Sequence, residues 1–228
     1  MGQGPKARSL LHGGCSGTQR LMELAPGLIY YPDFFSRDEQ EALVAELRAC
    51  VKRAPLFIPR MPRTGKPFSV RMTNCGALGW VSDEARGYRY QPDHPDTGAP
   101  WPDIPALALK AWALSDYRAL PEACLVNFYD AKARMGLHQD RDEAALDAPV
   151  VSISLGDTCL FRYGTSERNG PTKSVRLQSG DVVLIGGASR LCFHGVDRIY
   201  AGTSSLLSDA GRINLTLRRV TQPSLGAS

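Results

Sequence analysis

The chain contains no closely spaced pair of cysteines. Its six cysteines, at 15, 50, 75, 124, 159 and 192, never form a Cys-x-x-Cys. Neither a cysteine-based zinc knuckle nor the disulfide framework of a short secreted domain is therefore expected. Cys124, Cys159 and Cys192 stand in apolar stretches, where a free thiol behaves as a small hydrophobe. All six read as reduced thiols, which fits a cytoplasmic protein. No apolar run approaches the roughly 20 residues that cross a bilayer, and no internal repeat is visible. A membrane partner is not expected, and the chain reads as a monomer. Histidine is scarce as well, with four in 228 residues.

What is present is ordinary globular material, 43% hydrophobic and 22% charged, enough to bury one sizeable core. Residues 1–26 are rich in Gly, Ser and cations and lack the apolar centre of a secretory signal. They read as a flexible leader ahead of a single domain over 27–221. The net charge of +4 decides little, but its distribution says more. From Lys52 to Arg71 there are six cations and no Asp or Glu. Such a block can track a phosphate backbone, or it can be a solvated basic loop.

Ser36-Arg-Asp-Glu39 is a capping-box pattern that opens a helix, with Ala42, Leu43, Leu47 and Cys50 as its apolar stripe. Pro55 and Pro59 end any continuation. The stretch from about 54 to 104, with many Pro and Gly, is expected to be a long functional loop. A second helix is predicted over 106–114. From Cys124 onward the texture changes to short β segments, predicted at 124–129, 136–140, 150–155, 158–163, 174–177, 181–185, 190–194 and 212–219. Gly156-Asp157 fits a two-residue hairpin turn, and Ser179-Gly180-Asp181 another turn. Strands with no helices between them predict an α+β fold: N-terminal helices packed on a double-stranded β-helix (jelly roll) core over about 124–220.

The four histidines sort themselves. His12 lies in the leader and His94 in a turn-rich Pro92–Gly98 loop, while His138 and His194 fall on predicted strands. In His138-Gln139-Asp140 the first and third residues of a strand point the same way. A second imidazole from His194 would complete two histidines and one carboxylate, a facial set that leaves positions open on a non-haem Fe(II). Gly195 follows and would let the backbone turn at the metal. His-x-Asp is also common by chance, and zinc can use the same ligands.

The segment Arg212-Ile-Asn-Leu-Thr-Leu-Arg218 narrows the choice. A period of two places Arg212, Asn214, Thr216 and Arg218 on one face, with Ile213, Leu215 and Leu217 on the other. This is either an edge strand with a wet polar side or a strand lining a barrel interior. In the second case a guanidinium fork matches a carboxylate bidentately, as the distal carboxylate of 2-oxoglutarate requires. Asn127 and Tyr129 share one face of a neighbouring strand and add hydrogen-bond donors.

Taken together, these segments resemble the AlkB family of nucleic-acid dealkylating dioxygenases. The resemblance rests on Met72-Thr-Asn-Cys-Gly-Ala-Leu-Gly-Trp80, Leu137-His-Gln-Asp-Arg-Asp-Glu143, Pro149–Gly156, Gly180-Asp-Val-Val, Arg190-Leu-Cys-Phe-His-Gly195 and Asn214–Arg218, and it covers roughly residues 28–220. It implies that His138, Asp140 and His194 hold Fe(II). It implies that Asn127, Tyr129, Arg212, Asn214 and Arg218 hold 2-oxoglutarate, the two arginines meeting its carboxylates, with Thr216 lining the same pocket. O2 is the second co-substrate. Residues 54–104 would form a nucleotide-recognition lid, with Trp80, Tyr88 and Tyr90 at the base, and Asp142 and Arg168 as further substrate contacts. The implied reaction removes alkyl groups from bases such as N1-methyladenine and N3-methylcytosine in single-stranded DNA or RNA, releasing formaldehyde, succinate and CO2. The chain departs from the bacterial pattern at Phe128 (Arg there), Ile213 (Tyr there) and Met135-Gly-Leu137. Phe128 and Ile213 are expected to point away from the cofactor face. A tRNA-directed demethylase of the same chemistry and a non-catalytic nucleic-acid-binding module are the competing readings.

Overall fold

Elements form where side-chain alternation and capping dictate them. The computed structural model describes residues 20–223, so His12, Cys15 and most of the expected leader lie outside the described residues. Two short strands come first, β1 (Met22–Ala25) and β2 (Leu28–Tyr31). β1 falls inside the stretch read as leader, and it pairs with β2. Helix α1 (Arg37–Arg53) carries the predicted capping box: the Glu39 amide donates to Ser36 Oγ at 3.3 Å and the Ser36 amide to Glu39 Oε2 at 2.9 Å. Asp38 and Glu39 in its first turn, with Lys52 and Arg53 in its last, complement the helix dipole.

The stretch expected to be one long loop contains three strands, β3 (Arg71–Gly76), β4 (Gly79–Asp83) and β5 (Gly87–Gln91). Its prolines and glycines fall mostly between strands, so a composition rich in breakers hid real ladders. Helix α2 (Ala106–Trp112) follows, extended by one 3-10 turn. Then come β6 (Ala123–Tyr129), β7 (Met135–His138), β8 (Val150–Gly156), β9 (Thr158–Tyr163), β10 (Lys173–Leu177), β11 (Val182–Ile185), β12 (His194–Tyr200) and β13 (Arg212–Arg218).

The strands build two facing antiparallel sheets, one of seven strands in the order β1-β2-β11-β8-β13-β6-β3 and one of four in the order β10-β9-β12-β7, with β4-β5 as a separate hairpin. This is the predicted jelly-roll core. The large sheet buries both faces. Its outer face (Val151, Ile153, Leu155, Leu215, Leu217, Val126) packs on Leu43, Val44 and Leu47 of α1 and Ala108, Ala111 and Trp112 of α2. Its inner face meets the small sheet through a second core that includes Leu125, Val150, Cys159, Phe161, Ile185 and Val196. The five described cysteines are free.

Three predicted details change. Gly156-Asp157 is no hairpin turn: β8 already has β11 and β13 on its two edges, so the chain passes at Gly156 (φ +85°) to the small sheet. The apolar run at 190–194 is mostly a turn after a 3-10 helix at 187–189, and the strand begins at His194. An apolar run fixes burial, not conformation. β7 ends at His138, which leaves Asp140 beyond the ladder.

Candidate active site

Cross-strand register brings the two histidines together. His194 at the start of β12 is the direct partner of His138 at the end of β7, and their ring centroids lie 4.6 Å apart. Gly195 serves this approach through space, not through a turn. A Cβ there would stand 2.5 Å from the Met135 carbonyl oxygen and 2.8 Å from that of Gly136, so any side chain would push β7 and β12 apart. Asp140 reaches the same place from the loop after β7: its Oδ1 is 3.8 Å from His138 Nε2 and its Oδ2 is 3.7 Å from His194 Nε2. One donor atom from each residue lies within 4.8 Å of the others.

The protonation of this cluster suits a cation. His138 Nδ1 lies 2.9 Å from the Gly136 carbonyl and His194 Nδ1 3.0 Å from that of Cys192. Each carbonyl can only accept, so each Nδ1 carries the proton and each Nε2 lone pair faces Asp140. Burial, then repulsion from His138, lowers the His194 pKa to about 4, which keeps that ring neutral at pH 7. Burial would raise the Asp140 pKa, but the Arg218 guanidinium and the two imidazoles outweigh it and hold the carboxyl below its usual range. Asp140 Oδ2 is buried with no hydrogen-bond partner. Two imidazole Nε2 atoms turned to a buried, half-free carboxylate fit a divalent cation of the first transition row.

The inner face of β13 lines the same pocket. Arg212, Asn214, Thr216 and Arg218 are all buried, at 1%, 9%, 7% and 6% exposure, which decides between the wet edge and the interior. β13 lies between β6 and β8, with Arg212 opposite Tyr129 and Asn214 opposite Asn127. Ile213 packs toward the helices and Phe128 lies under the Arg71 guanidinium at 4.6 Å, so both departures do point away from the pocket.

The two arginines differ sharply. Arg218 Nη2 donates to Asp140 Oδ1 at 2.8 Å, and its Nε is 3.3 Å from Glu143 Oε1. Arg212 donates to Ser154 Oγ at 2.7 Å and toward the Asp157 carbonyl at 3.4 Å; its Nε, like that of Arg218, makes no hydrogen bond. Among the described residues no carboxylate forms an ion pair with it. Asn127 Oδ1 is likewise buried without a partner. A buried guanidinium without a counter-ion is costly unless an anion reaches it, so this corner fits a carboxylate ligand. The pocket has a volume of about 530 Å³ and runs from Arg212 past His138 and His194 to Trp80 and Tyr88.

At the mouth, Trp80 and Tyr88 stack on each other with centroids 5.5 Å apart and planes at 23°. Trp80 Nε1 donates to Asp142 Oδ2 at 2.9 Å. Asp142 and Arg168 are exposed and line the pocket, Arg168 lying over the Phe193 ring at 5.4 Å. Tyr90 is the exception among the expected substrate contacts. It does not line the pocket, and its hydroxyl donates to Glu143 Oε1 at 2.5 Å. Four of the six cations of 52–71 have local roles. Lys52 and Arg53 close α1, Arg60 donates to the Gly65 carbonyl at 2.9 Å, and Arg71 covers Phe128. Glu143 and Arg190, both 5% exposed, escaped the sequence reading, because a charged residue in a loop gives no local sign of burial.

Comparison with known proteins agrees with this geometry. A family profile described as 2OG-Fe(II) oxygenase superfamily matches residues 27–218. The chain is 53% identical over 199 residues to an alpha-ketoglutarate-dependent dioxygenase AlkB homolog of Caulobacter vibrioides, covering 87% of this chain and 90% of the relative. It is 33% identical over 223 residues to a protein of Arabidopsis thaliana named DNA N(6)-methyladenine demethylase ALKBH1D, covering 86% of this chain and 50% of the relative. The solved structure of OsALKBH1 superposes with a TM-score of 0.73 at 33% identity, covering 87% of this chain and 99% of that one. The chain belongs to the 2OG-Fe(II) oxygenase superfamily and, within it, to the AlkB family. It is a dioxygenase that uses Fe(II), 2-oxoglutarate and O2.

Proposed function

We propose that the enzyme oxidatively removes alkyl groups from N-alkylated bases, such as N1-methyladenine and N3-methylcytosine, in single-stranded DNA and RNA. His138, Asp140 and His194 would hold the iron. Arg212, with Asn127, Tyr129, Asn214 and Thr216 around it, would hold 2-oxoglutarate, and Arg218 would serve the end of the co-substrate near Asp140. When bound, this pair would activate O2, one oxygen atom going into succinate as 2-oxoglutarate loses CO2 and the other hydroxylating the N-alkyl carbon, which would leave as formaldehyde. The observation that carries the reading is Arg212: a guanidinium 1% exposed, with no acidic partner among the described residues, in one pocket with a His-Asp-His cluster.

The protein's own residues bind, orient and keep the site dry. Phe161, Val196, Leu177 and Leu125 line the pocket beside the polar groups, and the co-substrate would displace water from the polar atoms between them. Trp80 and Tyr88 would part to take the extruded base between them, and their faces favour a cationic methylated ring. Asp142, released by Trp80, would then accept from the base edge, and Arg168 would contact the strand. A base inside a duplex cannot reach this depth, so the target is flipped or unpaired. The AlkB relatives, one of them named as a DNA demethylase, support a nucleic-acid substrate. The domain reading, a leader to about residue 26, of which Met22–Ala25 pairs into the large sheet as β1, and one catalytic domain over 27–221 with its lid at about 54–104, belongs to the same proposal. So do monomeric action and a cytoplasmic location; among the described residues no helix is long and apolar enough to cross a membrane.

Anaerobic reconstitution with Fe(II), followed by 2-oxoglutarate, air and matched methylated DNA and RNA oligonucleotides, tests the reading. Formaldehyde and succinate should appear in equal amounts from a methylated strand. Turnover on RNA alone would favour the tRNA-type alternative. Strand binding that persists unchanged in His138→Ala, with no succinate from the wild type, would leave only a binding module.

A further inference from the structure

Asp140 is the one member of the His-Asp-His cluster that no strand positions. His138 and His194 are fixed by the β7–β12 register, while β7 ends before Asp140. Two guanidinium groups do the work of the missing ladder. Arg190 Nη1 donates to the Asp140 main-chain oxygen at 2.6 Å, and Arg218 Nη2 donates to Asp140 Oδ1 at 2.8 Å. Gripped at backbone and carboxylate, Asp140 keeps Oδ2 turned to His194 and Oδ1 toward His138.

Both guanidiniums end on one residue. Glu143, with a side chain 2% exposed, accepts from Arg190 Nη2 at 3.1 Å through Oε2 and lies 3.3 Å from Arg218 Nε through Oε1. The same Oε1 takes the Tyr90 hydroxyl proton donor at 2.5 Å. Two cations and two carboxylates thus close a buried, charge-balanced ring, and Tyr90 is the lid residue attached to it. Tyr90 on β5 is the direct cross-strand partner of Trp80 on β4, the aromatic at the pocket mouth. Any displacement of the hairpin that draws Trp80 away from Asp142 is carried by a shared ladder to Tyr90.

We propose that Glu143 is a positioning residue which, through Arg190 and Arg218, sets the orientation of Asp140, and that Tyr90 couples this orientation to the lid that receives the base. The inference rests on the reading of His138, Asp140 and His194 as metal ligands. It moves Tyr90 from the substrate to the metal side of the site. It also makes metal and nucleic acid reciprocal ligands, since whatever the strand does to metal affinity the metal must do to strand affinity.

The test is Mn(II) titration calorimetry on the full-length metal-free protein, with and without a methylated single-stranded oligonucleotide. The variants are Glu143→Gln, Tyr90→Phe and His138→Ala. In Glu143→Gln, Mn(II) affinity should fall about 10- to 100-fold, the range seen when a partner of a metal ligand is removed. Tyr90→Phe deletes one oxygen and keeps the ring packed, so it remains informative should Glu143→Gln fail to fold. It should weaken Mn(II) binding by a smaller factor and abolish the effect of the oligonucleotide on it. Wild-type Mn(II) affinity in a folded Tyr90→Phe protein, with the oligonucleotide effect intact, overturns the coupling. Unchanged affinity in a folded Glu143→Gln protein overturns the positioning role. Should His138→Ala bind Mn(II) as the wild type does, the metal reading beneath both is wrong.

Discussion

Strand β13 carries an arginine at each end, and the two ends have opposite electrostatics. Arg218 is enclosed by Asp140 and Glu143, while Arg212 meets only a serine hydroxyl and a backbone carbonyl. Both are almost fully buried. A guanidinium that the protein itself neutralises belongs to the architecture, here the placement of Asp140. One left uncompensated is a socket for an external anion. The same residue type, six positions apart on one face, thus serves two purposes, and the acids around it decide which. Arg218 would therefore serve the co-substrate while also holding Asp140, and Arg212 would serve it alone.

The comparison breaks most visibly at Arg218. Arg218→Ala leaves two buried carboxylates short of a cation and should destabilise the metal-free protein by about 3–5 kcal/mol in urea denaturation. If Arg212→Ala costs as much, the two ends are not different in kind. Acid sharpens the Arg218 end further. Burial lowers the His194 pKa from its ordinary 6.5 to about 4 in the fold, and Asp140 is also depressed. Groups depressed on folding stabilise fully above their unfolded values and lose that contribution as pH falls through the folded ones. Taking the metal-free protein from pH 7 to pH 4.5 should therefore lower stability by about 2–3 kcal/mol through His194. A His194→Gln protein should lack that slope; a stability that rises on acidification contradicts the assignment.

At the other end, Arg212→Gln should weaken 2-oxoglutarate binding by about 30- to 150-fold, the loss of a charge-assisted pair worth about 2–3 kcal/mol. Mn(II) affinity should hold, and stability should stay level or rise, because an uncompensated buried charge has gone. Calorimetry with the Mn(II)-loaded protein reads both. A matching loss of metal affinity would mean that the two ends act as one unit. The smallest effect belongs to the mouth, remote from both. Trp80→Ala should lower kcat/KM on a methylated oligonucleotide by about 10-fold, the size of one base-stacking contact, with the 2-oxoglutarate KM unmoved.

The parts legible in sequence were those written in local pattern. The capping box at Ser36–Glu39, the alternation of β13, and the strands from 123 to 163 lie close to where they were expected. The lid was misread because Pro and Gly between β3, β4 and β5 mimic a loop, and β3 gains its stability from pairing with β6, some 50 residues away. The Arg190–Cys192 run looked like a strand because apolar residues in a turn are buried as surely as those in a ladder. Glu143 and Arg190 lay inside matched segments yet drew no role, since a charge that will be buried carries no mark in one dimension.

By itself, the sequence determined that β13 would have one polar and one apolar face, that only two of four histidines could meet on strands, and that the whole belonged with the dealkylating dioxygenases. Period-two alternation and residue chemistry are properties of a few consecutive residues, so they can be read directly. The tertiary structure alone decided that β13 is interior, that His138 faces His194, and which arginine has acids beside it. Those depend on register between distant strands and on the low dielectric of a closed pocket, where a neighbour 3 Å away outweighs everything in the local chain.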